Sequence, residues 1–75
     1  MAGWGDDPTL VELRQAVEDD GWEPVKITED RDTPGGPYDV VTVRKDDEER
    51  EYRSDHLAFH RYVEGLMEDH GLSYS

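Results

Sequence analysis

Leu10, Leu13, Ala16 and Val17 recur at the three- and four-residue spacing of an amphipathic helix, with Glu12, Arg14, Gln15, Glu18 and Asp19 on the other faces. Thr9 and Glu12 have the spacing of a capping box, and Asp7-Pro8 offers a second start, because proline is tolerated in a first helical turn. Gly21 suits a left-handed stop, with Trp22 placed to fold back over the last turn. A first helix is expected over Pro8 to Asp20. Beyond it, Trp22 to Thr28 alternates from Val25 onward and reads as a strand, with Pro24 at its start or at a sheet edge. Residues 29–37 contain Pro34-Gly35-Gly36-Pro37 and form a loop. Tyr38 to Arg44 is the richest β-branched run and the strongest strand. A charged turn, Lys45 to Glu49, leads to a short third strand, Arg50 to Arg53, in which Tyr52 is the one large apolar body. Ser54 is the expected N-cap of a second helix over Asp55 to His70, with Phe59, Tyr62, Val63 and Leu66 as its apolar stripe, Leu57 and Met67 flanking it, and Gly71 as its stop. Residues 1–7 are left as an arm and residues 71–75 as a short tail.

The order helix, three strands, helix predicts a single α+β domain, α-β-β-β-α, in which a three-stranded antiparallel sheet is packed by both helices on one face. The expected core is Leu10, Leu13, Val17, Trp22, Val25, Ile27, Val41, Val43, Tyr52, Phe59, Val63 and Leu66. Strict alternation then turns Tyr38, Val40 and Thr42 to the opposite, uncovered face. That face is the expected interaction surface, joined by Trp4 from the arm, and its partner is another protein or a second copy in a homodimer. Trp4 has no periodic neighbours, and its plainer role is to cover an edge of the core.

Charge changes this picture. Twenty Asp and Glu face eight Lys and Arg in 75 residues, a formal net charge of -12. Self-repulsion of that size destabilises a compact state unless it is screened, and salt screens it, since the Debye length falls from about 10 Å at 0.1 M to about 3 Å at 1 M. Lys26 and Lys45 are the only lysines, and acidic runs such as Glu18-Asp19-Asp20, Glu29-Asp30 and Asp46-Asp47-Glu48-Glu49 are spread along the chain. In composition the chain resembles the small acidic proteins of halophilic archaea. The resemblance rests on no motif, and it implies a habitat and diffuse cations on the surface rather than an activity. The competing explanation of the acidity is mimicry of nucleic acid or an acidic interaction domain.

The absence of cysteine excludes a disulfide framework, a thiolate zinc site and a cysteine nucleophile. Met1 to Asp7 carries neither a basic start nor an apolar run, and no stretch is long and apolar enough to span a bilayer, so a cytoplasmic protein without membrane attachment is expected. The element order is similar to that of the double-stranded RNA-binding domain. That family places lysines at the start of its second helix, where this chain has Ser54-Asp55-His56-Leu57. A nucleic-acid-binding alternative rests on Arg44, Lys45, Arg50, Arg53 and Arg61, with His56 and His60 nearby, because phosphate contacts need positive charge. Pairing of these arginines with neighbouring acids is the competing expectation.

His56 and His60, four apart on a helix with Glu64 one turn on, have the spacing of a metal site, but His-Leu-Ala-Phe-His lacks the glutamate of the zinc-protease pattern. His70 is placed to complement the helix dipole. Glu29-Asp30-Arg31-Asp32 beside Gly35-Gly36 offers oxygen ligands without an EF-hand pattern, and no phosphate loop is present. Ser54, Asp55 and His56 are contiguous, which does not place them as a triad. The expectation is a non-enzymatic interaction module without a cofactor.

Overall fold

The computed structural model describes residues 7–31 and 37–74; Trp4 and the glycine pair of the 29–37 loop lie outside them. The elements are α1 (Pro8–Glu18), β1 (Glu23–Asp30), β2 (Tyr38–Lys45), β3 (Glu48–Ser54) and α2 (Leu57–His70), the expected α-β-β-β-α order.

Of the two starts offered for α1 the Asp7-Pro8 one holds, and α2 begins at another cap than Ser54. Asp7 caps α1, its carboxylate accepting from the Thr9 N–H at 3.1 Å with Pro8 in the first helical position. His56 caps α2, its Nδ1 accepting from the Ala58 N–H at 3.2 Å. Ser54 stands two residues before that cap and accepts from the His56 N–H at 3.1 Å, which sets the entry of the helix instead of capping it. α1 ends two residues before Asp20, and Gly21 (φ +81°) lets the Trp22 N–H return to the Ala16 carbonyl at 2.9 Å. Gly71 (φ +67°) turns the chain at the end of α2, where the Leu72 N–H reaches the Met67 carbonyl at 2.9 Å. Both glycines sit in the left-handed region, where a Cβ is strained.

The sheet is antiparallel in the order β1-β2-β3. Lys45 pairs with Glu48, so the β2–β3 hairpin closes on Asp46-Asp47, with Asp46 at φ +55°, a conformation aspartate tolerates through its own short polar side chain. Between β1 and β2 the register slips once: Pro24 pairs with Val43 and Lys26 with Thr42, leaving Val25 as the extra residue of a β-bulge. The bulge corrects the expected core. Pro24 and Ile27, three apart, are both buried, while Val25 is 37% exposed.

Leu13, Ala16, Trp22, Ile27, Val41, Val43, Phe59, Val63 and Leu66 form one buried cluster, with Leu10, Val17, Tyr52, Tyr62, Met67 and Leu72 packed around it. Val41 and Val43 point to the same side of β2, and side chains of both helices meet them there. Both helices therefore cover one face, α1 against β3 and α2 against β1 and β2. The segment after α2 returns to the sheet, and Tyr74 forms a single parallel bridge to Ile27 on the outer edge of β1. Among the described residues no helix is long and apolar enough to cross a membrane.

Candidate functional site

Antiparallel register fixes which side chains share the uncovered face, because residues opposite each other point the same way. Four rows cross it: Asp30 and Tyr38; Thr28, Val40 and Arg53; Lys26, Thr42 and Glu51; Glu23, Arg44 and Glu49. Tyr38, Val40 and Thr42, as expected from alternation, lie on this face, and each is half-buried between its neighbours. Arg53 stacks on the Tyr38 ring at 5.4 Å and pairs with Asp30 at 2.9 Å, so one end of the face is a fixed plate of aromatic ring, guanidinium and carboxylate. At the other end Arg44 reaches Glu49 at 4.0 Å. Lys26 and Glu51, flanking Thr42, form no ion pair with another described residue.

The charge balance of this face differs from that of the chain. Its rows carry Lys26, Arg44 and Arg53 against Glu23, Asp30, Glu49 and Glu51. It accounts for one of the twelve excess negative charges. It also holds three of the eight basic residues but only four of the twenty acids. The sheet brings together on its open side one basic residue from each strand, Lys26, Arg44 and Arg53.

The residues of the nucleic-acid alternative are not brought together. Arg44 and Arg53 stand on the open face, Lys45 beside the hairpin turn and Arg61 on α2. Arg50 turns to the helical side, where it stacks on the Trp22 ring at 4.5 Å. The expected pairing with acids holds for Arg44 and Arg53, while Arg50 takes an aromatic partner instead.

The helical face carries a polar network that alternation implied but residue type concealed. Asp39 shares its face with Val41 and Val43 and is 6% exposed. Its Oδ1 accepts from the Tyr74 hydroxyl at 2.8 Å, and its Oδ2 lies 2.7 Å from His60 Nδ1. A carboxylate only accepts, so Nδ1 carries the proton. This hydrogen bond raises the His60 pKa above its ordinary value of 6.5, with the charges of Asp39, Glu64 and Glu29 adding to it against partial burial. Burial, followed by the bond to Asp39, raises the Tyr74 phenol as well. The remaining His60 nitrogen, Nε2, lies 3.7 Å from Glu64. Beside this cluster Ser54, opposite Asp39 in the register, donates to Asp7 at 2.6 Å.

Two carboxylates thus tie the ends of the chain segments together: Asp7 joins the start of α1 to β3, and Asp39 joins α2 and the segment around Tyr74 to β2. Among the described residues no group of three or more His, Asp and Glu is arranged to hold a metal ion. Of the candidates, His56 spends its Nδ1 on the helix start and His60 turns to Asp39. Ser54 is engaged by Asp7 and by the His56 backbone, and no histidine side chain bonds to it. On α1, Tyr62 of the neighbouring helix donates to Glu18 at 3.0 Å; burial and this bond push its phenol up to about 12. Asp39 was legible from its parity with Val41 and Val43, whereas nothing in the sequence marks Tyr74 as its partner.

A scan against protein-family models and searches of curated proteins and of solved structures find no match.

Proposed function

We propose that this chain is a non-enzymatic interaction module adapted to high salt, and that the open face of its sheet is the surface it uses. The observation that carries this reading is the segregation of charge: the one sheet face left uncovered by helices holds Tyr38, Val40 and Thr42 and is almost charge-balanced in a chain of net charge -12. A polypeptide partner approaching any other side meets the excess of carboxylates, and desolvating those is costly unless they are paired. The acidic remainder keeps the molecule hydrated and repels non-specific contacts, while concentrated salt removes the long-range repulsion. Asp39, His60 and Tyr74 have a structural part in this reading, because they hold α2 and the edge of β1 in place beneath the sheet.

The test is a photo-reactive benzophenone side chain at Thr42, compared with one at Val11 on the outer side of α1, in cells that carry the native gene. An adduct of defined mass from position 42, with none from position 11, is the expected result. Equal labelling from both positions, or none from position 42, contradicts the assignment of the surface.

A further inference from the structure

The geometry points to a two-ligand site for a divalent cation of the zinc type on the helical side of the molecule, with His60 Nε2 and Glu64 as its protein ligands and Asp39 behind them. It lies apart from the open face and does not depend on that face being used. His60 and Glu64 stand four apart on α2, so both side chains project from one side of the helix, and Nε2 lies 3.7 Å from Glu64 Oε2. Zinc holds nitrogen at about 2.0–2.1 Å and carboxylate oxygen at about 2.0–2.2 Å, and a tetrahedral angle between them separates the two atoms by about 3.4 Å. A small adjustment of Glu64, whose side chain is 59% exposed, closes the difference.

The group behind the ring distinguishes this pair from an ordinary surface pair. Asp39 is 6% exposed; its Oδ2 accepts the Nδ1–H at 2.7 Å, and its Oδ1 is held by the Tyr74 hydroxyl at 2.8 Å. The imidazole is therefore oriented from a fixed point on β2, and in its neutral form the lone pair falls on Nε2. Two electron-rich groups, Nε2 and the Glu64 carboxylate, then face each other, and a proton or a metal ion between them satisfies both. A metal-bound histidine almost always gives its other N–H to a carboxylate, a carbonyl or water, which fixes the tautomer and makes the ring a better ligand. His60 has that carboxylate before any metal arrives. Among the described residues neither His56 nor His70 bonds to a carboxylate. A nitrogen ligand favours a borderline ion such as Zn²⁺ over Mg²⁺ or Ca²⁺, which take oxygen. Two protein ligands leave the other positions to water, so the site is exchangeable and the fold does not need it.

The test is a titration of the folded chain with ZnCl₂ in concentrated KCl, followed by NMR of the imidazole nitrogens and of the α2 amides, with circular dichroism to confirm folding. Potassium in excess screens the diffuse acidic surface, so a saturable response reports a specific site. His60 Nε2 is expected to shift and saturate, while His56 and His70, the internal controls, stay in place. His60→Gln should abolish the saturable response of the α2 amides. Asp39→Asn, which removes the supporting charge and no ligand, should weaken zinc binding about tenfold or more. Glu64→Gln, an exposed change that leaves the fold intact, should weaken it by at least as much, and it decides the matter if Asp39→Asn does not fold. Equal shifts at all three histidines mean diffuse binding only and overturn the inference. So does a folded Glu64→Gln or Asp39→Asn chain that binds zinc as tightly as the unmodified one.

Discussion

Phe59→Ala is expected to leave little folded protein at ordinary temperatures. Phe59 is fully buried at the centre of the core, between the sheet and α2, and it is the largest side chain there with no exposure. Removing a buried phenylalanine ring costs about 3–5 kcal/mol through lost burial and the cavity left behind. A domain of 75 residues has a total stability on the order of 4–11 kcal/mol. One substitution therefore removes from about a quarter to all of it. Each kcal/mol moves the midpoint of a domain this small by about 4–8 °C, so a fall of about 12–40 °C is expected in thermal unfolding followed by circular dichroism. Phe59→Leu, which keeps most of the volume, should cost far less. A midpoint within about 5 °C of the unmodified chain for Phe59→Ala would place the centre of the core elsewhere.

Asp39→Ala has the second largest expected effect, about 1–3 kcal/mol, because it removes both hydrogen bonds of a buried carboxylate, from the Tyr74 hydroxyl and from His60 Nδ1–H. Asp39→Asn keeps an acceptor but no charge and should fall between. The local consequence is sharper than the global one. The segment around Tyr74 should leave the β1 edge, and amide exchange at Leu72 to Tyr74 should rise to that of an open chain. The same pair gives a pH dependence of fixed sign. The His60 pKa is raised on folding by its hydrogen bond to Asp39, so its contribution is complete below about 6.5 and is lost as pH climbs through the raised value. The stability difference between the unmodified chain and His60→Gln should therefore shrink on the alkaline side of that window. A difference that grew with pH would mean that His60 is held neutral.

How far these features were readable from sequence depends on which physical term sets each of them. Phe59, Val63 and Leu66 were legible because helical periodicity and burial agree, and Val41 and Val43 because a central strand obeys its pleat. Val25 was misread because its strand was assumed to alternate without interruption. One residue of bulge exchanges the faces of everything before it, and bulges leave no mark in hydropathy. The start of α2 was misread by a local rule that several residues satisfied equally, whereas of the two starts offered for α1 the Asp7-Pro8 one holds. Asp7 wins over Thr9 because its carboxylate also receives the Ser54 hydroxyl from β3, a contact 47 residues away in the chain. His56 wins over Ser54 because that same contact draws Ser54 into the sheet. The open face was placed correctly by parity, with Tyr38, Val40 and Thr42 opposite the core. Its charge balance was not visible, because Lys26, Arg44 and Arg53 become neighbours only through strand pairing, and in the sequence Arg53 belongs with Arg50, which the structure turns to the other side.

The proposed adaptation to salt joins these observations, since repulsion over the acidic surface opposes folding. A titration from about 0.1 M to about 3 M KCl, following far-UV circular dichroism and sedimentation on the same samples, tests it most directly. Folded signal is predicted to rise with salt, with most of the change complete by about 1 M, where the Debye length approaches the size of an atom contact. A chain that is fully folded at 0.1 M and no more stable at 3 M would contradict the account.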